Sequence, residues 1–331
     1  MGDWAGVRLH VVTGKGGTGK TTVAAALALA HAAGGRKVLL IEIEERQGLA
    51  QLFDVPPLPY EERKLAVARR GGDVYGLAVD AQEAMYEYLE LYFRLGRAGR
   101  ALDRVGVIEF ATTIAPGMRD VLLTGKTYEA TRRRRRDQGR HVDGFVYDAV
   151  VLDAPPTGRI TRFLSVNAAV TSLARVGPIH RHAMAITEFL SSPLTAVHVV
   201  TVLEDMPVQE TADALSDLHD AGIPRGAIIV NRMRRPHLGV RDLAASRRRT
   251  LDRGRIEAGL RIAGVPTSGG LVDRLVEEAA AHADQVGIEK DLRAVITALD
   301  RPTYELPFVA DGIDLAALYE LADALTGQGA T

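Results

Sequence analysis

The chain has 331 residues, 41 Lys+Arg against 42 Asp+Glu and a net charge of −1, a balance that argues against a protein whose main task is coating nucleic acid. It has no cysteine, which excludes disulfides, thiolate nucleophiles and thiolate-bound zinc or iron–sulfur clusters. Hydrophobic and charged contents of 47% and 25% are ordinary for a globular protein, and the length allows one large α/β domain or two smaller ones.

In chain order, Met1 to Gly6 carry no basic leader, and the apolar run behind them is too short for a signal peptide. That run, Leu9 to Val12, stops in a loop containing Gly14, Gly16, Gly17 and Gly19, and an alanine- and leucine-rich helical pattern follows from Val23 to Ala33. The apolar part of this helix is well short of the ~20 residues needed to span a bilayer. These features predict a cytoplasmic protein without an integral membrane segment. The order is strand, loop, helix, and Gly14-x-x-x-x-Gly19-Lys20-Thr21 fits a nucleotide-triphosphate loop. Glycines let the loop turn its N–H groups around phosphate oxygens at the positive end of the helix. Lys20 is expected to reach the β- and γ-phosphates of the nucleotide, and the Thr21 hydroxyl to ligate Mg²⁺. The chain has only six lysines, and Lys15 and Lys20 both lie in this loop.

Arg36 to Glu44 reads as a buried parallel strand. Its carboxyl end carries Glu42, Glu44 and Glu45, where ligands of open α/β sheets bind; for Glu42 and Glu45 a solvated turn is an equal reading. Pro56-Pro57-Leu58-Pro59 marks a loop, and Val74 to Val79 another strand. Asp80 suits a helix cap before Met85, Tyr88, Leu89, Tyr92 and Leu95 at helical spacing. Further helical stretches are expected at Val105 to Phe110 and Met118 to Ala130, separated by Pro116-Gly117. Residues 81–140 thus read as a helical insertion. Arg132 to Arg136 is a basic run without interleaved aromatics, closer to a solvated loop than to a nucleic-acid site; if it has a partner, an acidic protein fits better.

Phe145 to Asp153 is the second strong chemical signal, a hydrophobic strand ending in aspartate, where a nucleotide hydrolase holds Mg²⁺, usually through a water. The following loop, Ala154-Pro155-Pro156-Thr157-Gly158-Arg159, is placed to sense the γ-phosphate. Thr161 to Leu190 is helical, interrupted at Gly177-Pro178; Thr195 to Leu203 and Gly226 to Val230 are strands joined by a helix around Gln209 to His219. Residues 235–300 form a charged helical excursion, Tyr304 to Phe308 returns to strand and loop, and Leu315 to Leu325 closes the chain as an amphipathic helix. The fold class is α/β: a phosphate-loop domain over residues 1–331, with a mostly parallel central sheet flanked by helices. A helical subdomain from 81–140 and 161–193 is inserted in it.

Lys15-Gly16-Gly17-Thr18-Gly19-Lys20-Thr21-Thr22 resembles the deviant phosphate loop of the partitioning, septum-siting, nitrogenase-iron-protein and arsenite-pump ATPases, in which the extra lysine reaches a partner subunit's nucleotide. With the acidic end of the second strand, Ala115-Pro116-Gly117, Asp153-Ala-Pro-Pro-Thr-Gly158, Glu210-Thr211, Val230-Asn231 and Leu306-Pro307, the chain resembles the ArsA-type ATPases, and within them the actinobacterial branch encoded as non-identical pairs. These include the arsenite-pump subunit and relatives that target tail-anchored membrane proteins. The resemblance implies a magnesium- and ATP-dependent dimer, either a homodimer or a heterodimer with a paralogous ArsA-like ATPase, that opens and closes around a protein client. It makes Lys15 the trans-acting lysine. Gly14, Gly16, Gly17, Thr18, Gly19, Lys20, Thr21 and Thr22 become the phosphate-holding residues. Glu44 takes the switch I position that orients the attacking water, Asp153 the magnesium-side aspartate, and Pro156, Thr157, Gly158 and Arg159 switch II. Asn231, Pro307 and Phe308 fall at the adenine positions.

The departures bear on function. Glu44-Glu45-Arg46-Gln47 stands where the family has Asp-Pro-Ala-His, and Arg159 replaces a histidine. The added methylene at Glu44 matters, since a displacement of about 1 Å can cost on the order of 10²-fold in rate. Slow or partner-dependent hydrolysis by a regulatory subunit is therefore one alternative. The missing cysteines remove the thiolates of arsenite capture, and the helical segments hold only Met85, Met118 and Met184 for a plastic client groove. A second alternative, a positioning ATPase of the partitioning or septum-siting kind, needs a basic face or tail. The last helix instead carries Glu320 and Asp323 and no basic residue.

Overall fold

The computed structural model describes residues 3–44, 47–93, 117–137, 140–165 and 178–331. Two compact units emerge: Met1–Val202 with Met206–Met233 and Arg301–Thr331, and Leu203–Asp205 with Arg234–Asp300.

The larger unit is built on a sheet. From the amino terminus come β1 (Leu9–Gly14), α1 (Lys20–Ala32), β2 (Lys37–Glu42), α2 (Gly48–Leu52), β3 (Arg63–Val67), β4 (Asp73–Ala78) and α3 (Ala81–Phe93). After the undescribed stretch follow α4 (Met118–Arg132), β5 (Arg134–Asp137), β6 (Arg140–Phe145), β7 (Ala149–Asp153), α5 (Thr157–Leu164), α6 (Pro178–Leu190), β8 (Thr195–Thr201), α7 (Asp205–Asp220) and β9 (Arg225–Met233). The smaller unit contains α8 (Val240–Arg247), α9 (Arg253–Ile262) and α10 (Leu271–Ala298). β10 (Thr303–Pro307) and α11 (Leu315–Gly327) then complete the larger one.

The sheet order is β10-β9-β8-β1-β7-β2-β4-β3, parallel throughout except for β3, which pairs antiparallel with β4 at one edge. Continuous apolar runs in β1, β2, β7 and β8 are buried on both faces, as central parallel strands require. α1 is buried from Val23 to Ala32 and packs between the sheet and α11; its alanines let the two helices approach closely. Burying Leu27 and Leu29 there contributes roughly 1.5–3 kcal/mol each.

A polar knot sits inside this core. His10 on β1, His31 on α1 and His198 on β8 are all buried. His198 Nδ1 accepts from the Ala227 amide at 3.1 Å, so Nε2 carries the proton and donates to His10 Nδ1, also at 3.1 Å. The His10 and His31 rings lie 4.0 Å apart. Burial, with neighbouring positive charge, pushes the His31 pKa down to about 3, burial alone does the same for His198, and burial and nearby charges hold His10 well below its ordinary value. All three are neutral at pH 7.

In the insertion, α4 packs on both α3 and α6, with Tyr128 edge-on to Phe189 and to His182. The expected helix at Val105 to Phe110 and the interruption at Gly177 lie outside the described residues. Residues after Arg133 are not a solvated loop: β5 and β6 form an antiparallel hairpin. Phe145 explains it, stacked between the Arg8 guanidinium at 3.6 Å and that of Arg134 at 4.2 Å, while Arg133 turns back to pair with Glu129 and Glu62. No helix among the described residues is long and apolar enough to cross a membrane.

Candidate nucleotide site

β1, β7 and β2 are adjacent, and their register sets Val12 and Glu42 on either side of Asp153. Paired positions of a parallel sheet project side chains from the same face. Glu42 and Asp153 therefore stand together where β1 runs out into the glycine loop.

Two glycines there have identifiable work. Gly19 caps α1 at φ 89, and a Cβ on it would run into Asn231 Nδ2; a Cβ on Gly14 would collide with the Val200 carbonyl oxygen. The loop closes on itself through Thr18 Oγ1, which donates to the Lys15 carbonyl at 2.8 Å. Lys20, Thr21 and Thr22 form the first turn of α1.

Thr21 Oγ1 donates to Asp153 Oδ2 at 2.6 Å, and Glu42 Oε1 accepts the Gly48 amide at 2.7 Å. The other oxygens, Asp153 Oδ1 and Glu42 Oε2, are buried without a partner. Burial pushes the Asp153 carboxyl up to about 7; Thr21 and Lys20 oppose the rise, and Glu42 and Glu44 add to it. Burial raises Glu42 as well, against the amides of Gly48 and Leu49. Two adjacent, partly orphaned carboxylates are costly unless a cation joins them. A hydroxyl and carboxylate oxygens are the hard donors magnesium takes, so the residues present fit that ion.

The segment that follows β7 is tied to β1. Thr13 Oγ1 donates to the Pro155 carbonyl at 2.6 Å, and the Ala154 amide to Val12 at 2.9 Å. Pro156 precedes α5, which begins with buried Thr157 and exposed Gly158 and Arg159. Lys15 Nζ pairs with Glu210 Oε1 of α7 at 2.7 Å, and Glu210 Oε2 accepts from Thr157 Oγ1 at 3.2 Å. One carboxylate thus holds both the loop lysine and the Thr157 hydroxyl. Glu44 is half-buried, its charge felt at Glu42 and Asp153. Glu45 and Arg46 lie outside the described residues; beyond them Gln47, at φ 53, anchors the segment through both amide atoms to the Leu58 backbone.

Asn231 reaches the loop from β9. Its Nδ2 donates to the Thr18 carbonyl and its Oδ1 accepts the Arg232 amide, each at 2.9 Å. Pro307 pairs with Met233, and the Phe308 amide donates to the Met233 carbonyl at 2.9 Å, leaving the Phe308 ring 42% exposed at the sheet edge. Residues 7–190 match the family model of the anion-transporting ATPases. The chain belongs to the ArsA-type ATPase family. ATPase BagA of Mycobacterium tuberculosis is 52% identical to it over 325 residues, 98% of this chain and 94% of that protein. A putative ATPase of Mycobacterium bovis shows the same identity and coverage. The putative arsenical pump-driving ATPase 1 of Aquifex aeolicus is 29% identical over 170 residues, 48% of this chain and 38% of its own length. Membership in the ArsA-type family accounts for the mostly parallel sheet with flanking helices and implies nucleotide binding.

Of the residues gathered at this candidate site, Glu210 was not singled out by sequence reasoning, and Glu42 was weighed evenly against a solvated turn. Glu210 entered only as part of a family segment, because nothing local to α7 announces a contact with residue 15. Glu42 carried a usable signal: a carboxylate closing an otherwise apolar strand, like Asp153.

Proposed function

We propose that this chain is a magnesium- and ATP-dependent ATPase that works as a dimer, with a second copy or a paralogous ArsA-like subunit. ATP binding and hydrolysis close and reopen the pair around a protein client in the cytoplasm. The observation that carries the reading is the 2.6 Å bond from Thr21 to Asp153, which joins the phosphate loop to the strand-end carboxylate. In this reading the amides of Gly14 to Thr22 hold the phosphates and Lys20 neutralises the β- and γ-oxygens. Thr21 and Asp153 hold magnesium, which when bound spreads the charge of the phosphoryl group. Glu44 orients the attacking water, and Thr157 to Arg159 respond to the γ-phosphate. Asn231, already bonded to Thr18, links the phosphate loop to an adenine position completed by Pro307 and Phe308; its free amide hydrogen and lone pair suit a base edge.

Lys15 acts on the partner's nucleotide, so it must leave Glu210 first. The two side chains are 30% and 34% exposed, and an ion pair so placed contributes about 1 kcal/mol or less. That is a small barrier to crossing. Thiolate-based arsenite capture is no part of the proposal, since the chain has no cysteine.

Isothermal titration and phosphate release test the reading together. Lys20→Ala abolishes ATP binding; Glu44→Ala retains binding and lowers turnover on the order of 10²-fold. Unchanged turnover in Glu44→Ala contradicts the water-orienting role, and ATP binding by Lys20→Ala contradicts the site.

A further inference from the structure

Glu42 is buried at 3% exposure, yet only one of its carboxylate oxygens has a partner. Receiving the amides of Gly48 and Leu49 would need only a neutral acceptor. A second carboxylate oxygen, sealed from water beside Asp153, is a standing cost that the hydrogen bond does not offset. Its surroundings say what would offset it. Register sets it against Asp153, whose Oδ1 is also orphaned. A Cβ on Gly48 would lie 3.2 Å from both Glu42 Oε1 and Thr21 Cγ2, so Glu42, Thr21 and the start of α2 form one packed cluster.

We propose that Glu42 belongs to the coordination sphere of the nucleotide's divalent cation, its Oε2 accepting from a metal-bound water, while its Oε1 ties the segment after Glu44 to the same ion. This rests on the nucleotide-site reading above and adds to it. Magnesium keeps several waters in such sites, and those waters need acceptors. Glu42 is then a positioning residue with two hands. Oε2 senses whether the cation is present, and Oε1 holds Gly48, which follows Gln47 at the end of the acidic loop. Loss of the cation leaves two carboxylates in mutual repulsion, and the Gly48 contact is the one through which that repulsion reaches the segment of Glu44.

Glu42→Gln tests this in the full chain, since glutamine keeps the size and the acceptor for Gly48. Free Mn²⁺ is followed by electron paramagnetic resonance in the presence of a non-hydrolysable ATP analogue. Binding of a fluorescent ATP analogue is measured separately in EDTA. The expected result is a pair of opposite shifts. Affinity of the nucleotide complex for Mn²⁺ falls about tenfold or more, while metal-free nucleotide binds more tightly because a charge repelling its phosphates is gone. Glu42→Met, close in size and uncharged, shifts both in the same directions and serves if the glutamine variant does not fold. Mn²⁺ affinity within twofold of wild type, or a parallel loss of both affinities, overturns the proposal and leaves the nucleotide site standing. A wild-type chain that binds no nucleotide in either assay overturns the site itself.

Discussion

Lys15 is the residue on which the dimeric account turns, and in this structure it is occupied within its own chain. Glu210 holds it at 2.7 Å and reaches Thr157 with the other oxygen. In the proposed dimer Glu210 would compete with the partner's nucleotide for the same ammonium while it touches Thr157. Glu210→Gln removes the charge but keeps an acceptor for Thr157. It is expected to tighten ATP-dependent association by about twofold to fivefold, the range an exposed ion pair supplies, measured by sedimentation at several protein concentrations. Weaker association would instead put Glu210 among the groups that hold the two subunits together. Residues of this kind are the least legible in a sequence. Lys15 and Lys20 stand out because a loop motif fixes their spacing, whereas Glu210 lies far along the chain, on a helix whose pattern is set by burial of its other face.

At the scale of elements, β1, β7, β8 and their connections could be read from apolar runs because central parallel strands are buried on both faces. The edges could not. β3 follows a proline-rich loop and carries Arg63 and Lys64 on an edge strand, where one side of the ladder is solvated. The β5–β6 hairpin reads as a charge run, its stability resting on stacking over Phe145 rather than on alternation. The histidine knot was equally silent, since one histidine on each of three elements forms no local pattern. It has a measurable consequence. Each histidine has a folded pKa below its ordinary 6.5, so the unfolded chain takes up more protons. Stability is then fully present above pH 6.5 and is lost as pH falls toward 3, by up to about 1.4 kcal/mol per pH unit for each histidine. Asp153, raised to about 7, and Glu42 act in the opposite sense, gaining stability as they protonate in the fold. Urea unfolding of Asp153→Asn removes the larger opposing effect. Between pH 7.5 and 5.5 this variant is expected to lose at least about 1.4 kcal/mol; a flat or rising stability contradicts a buried neutral trio.

At the scale of the molecule, the glycine loop, the two strand-end carboxylates and the segment from Ala154 to Arg159 form one connected cluster, which we propose as the nucleotide site of this ArsA-type chain. In the proposed reading, Lys15 of a second subunit supplies the cation that this chain's own Lys15, held by Glu210, does not. Glu44 and Arg159 depart from the family pattern, so both a paralogue and a second identical chain are to be tested as the proposed second subunit. The smaller unit of α8, α9 and α10, with few buried residues and its ion pairs Arg249–Asp284 and Arg253–Asp273 on the surface, contributes nothing to this chemistry that its residues reveal. The most direct test is specific ATPase activity measured against subunit concentration, for the chain alone and mixed with a paralogous ArsA-like ATPase, in wild type and Lys15→Ala, with native mass measured under the same Mg·ATP conditions. The account predicts activity that rises with concentration toward a plateau, a two-subunit mass at that plateau, and loss of the activity in Lys15→Ala. A single subunit that hydrolyses ATP at a concentration-independent rate, unaffected by Lys15→Ala, would contradict it.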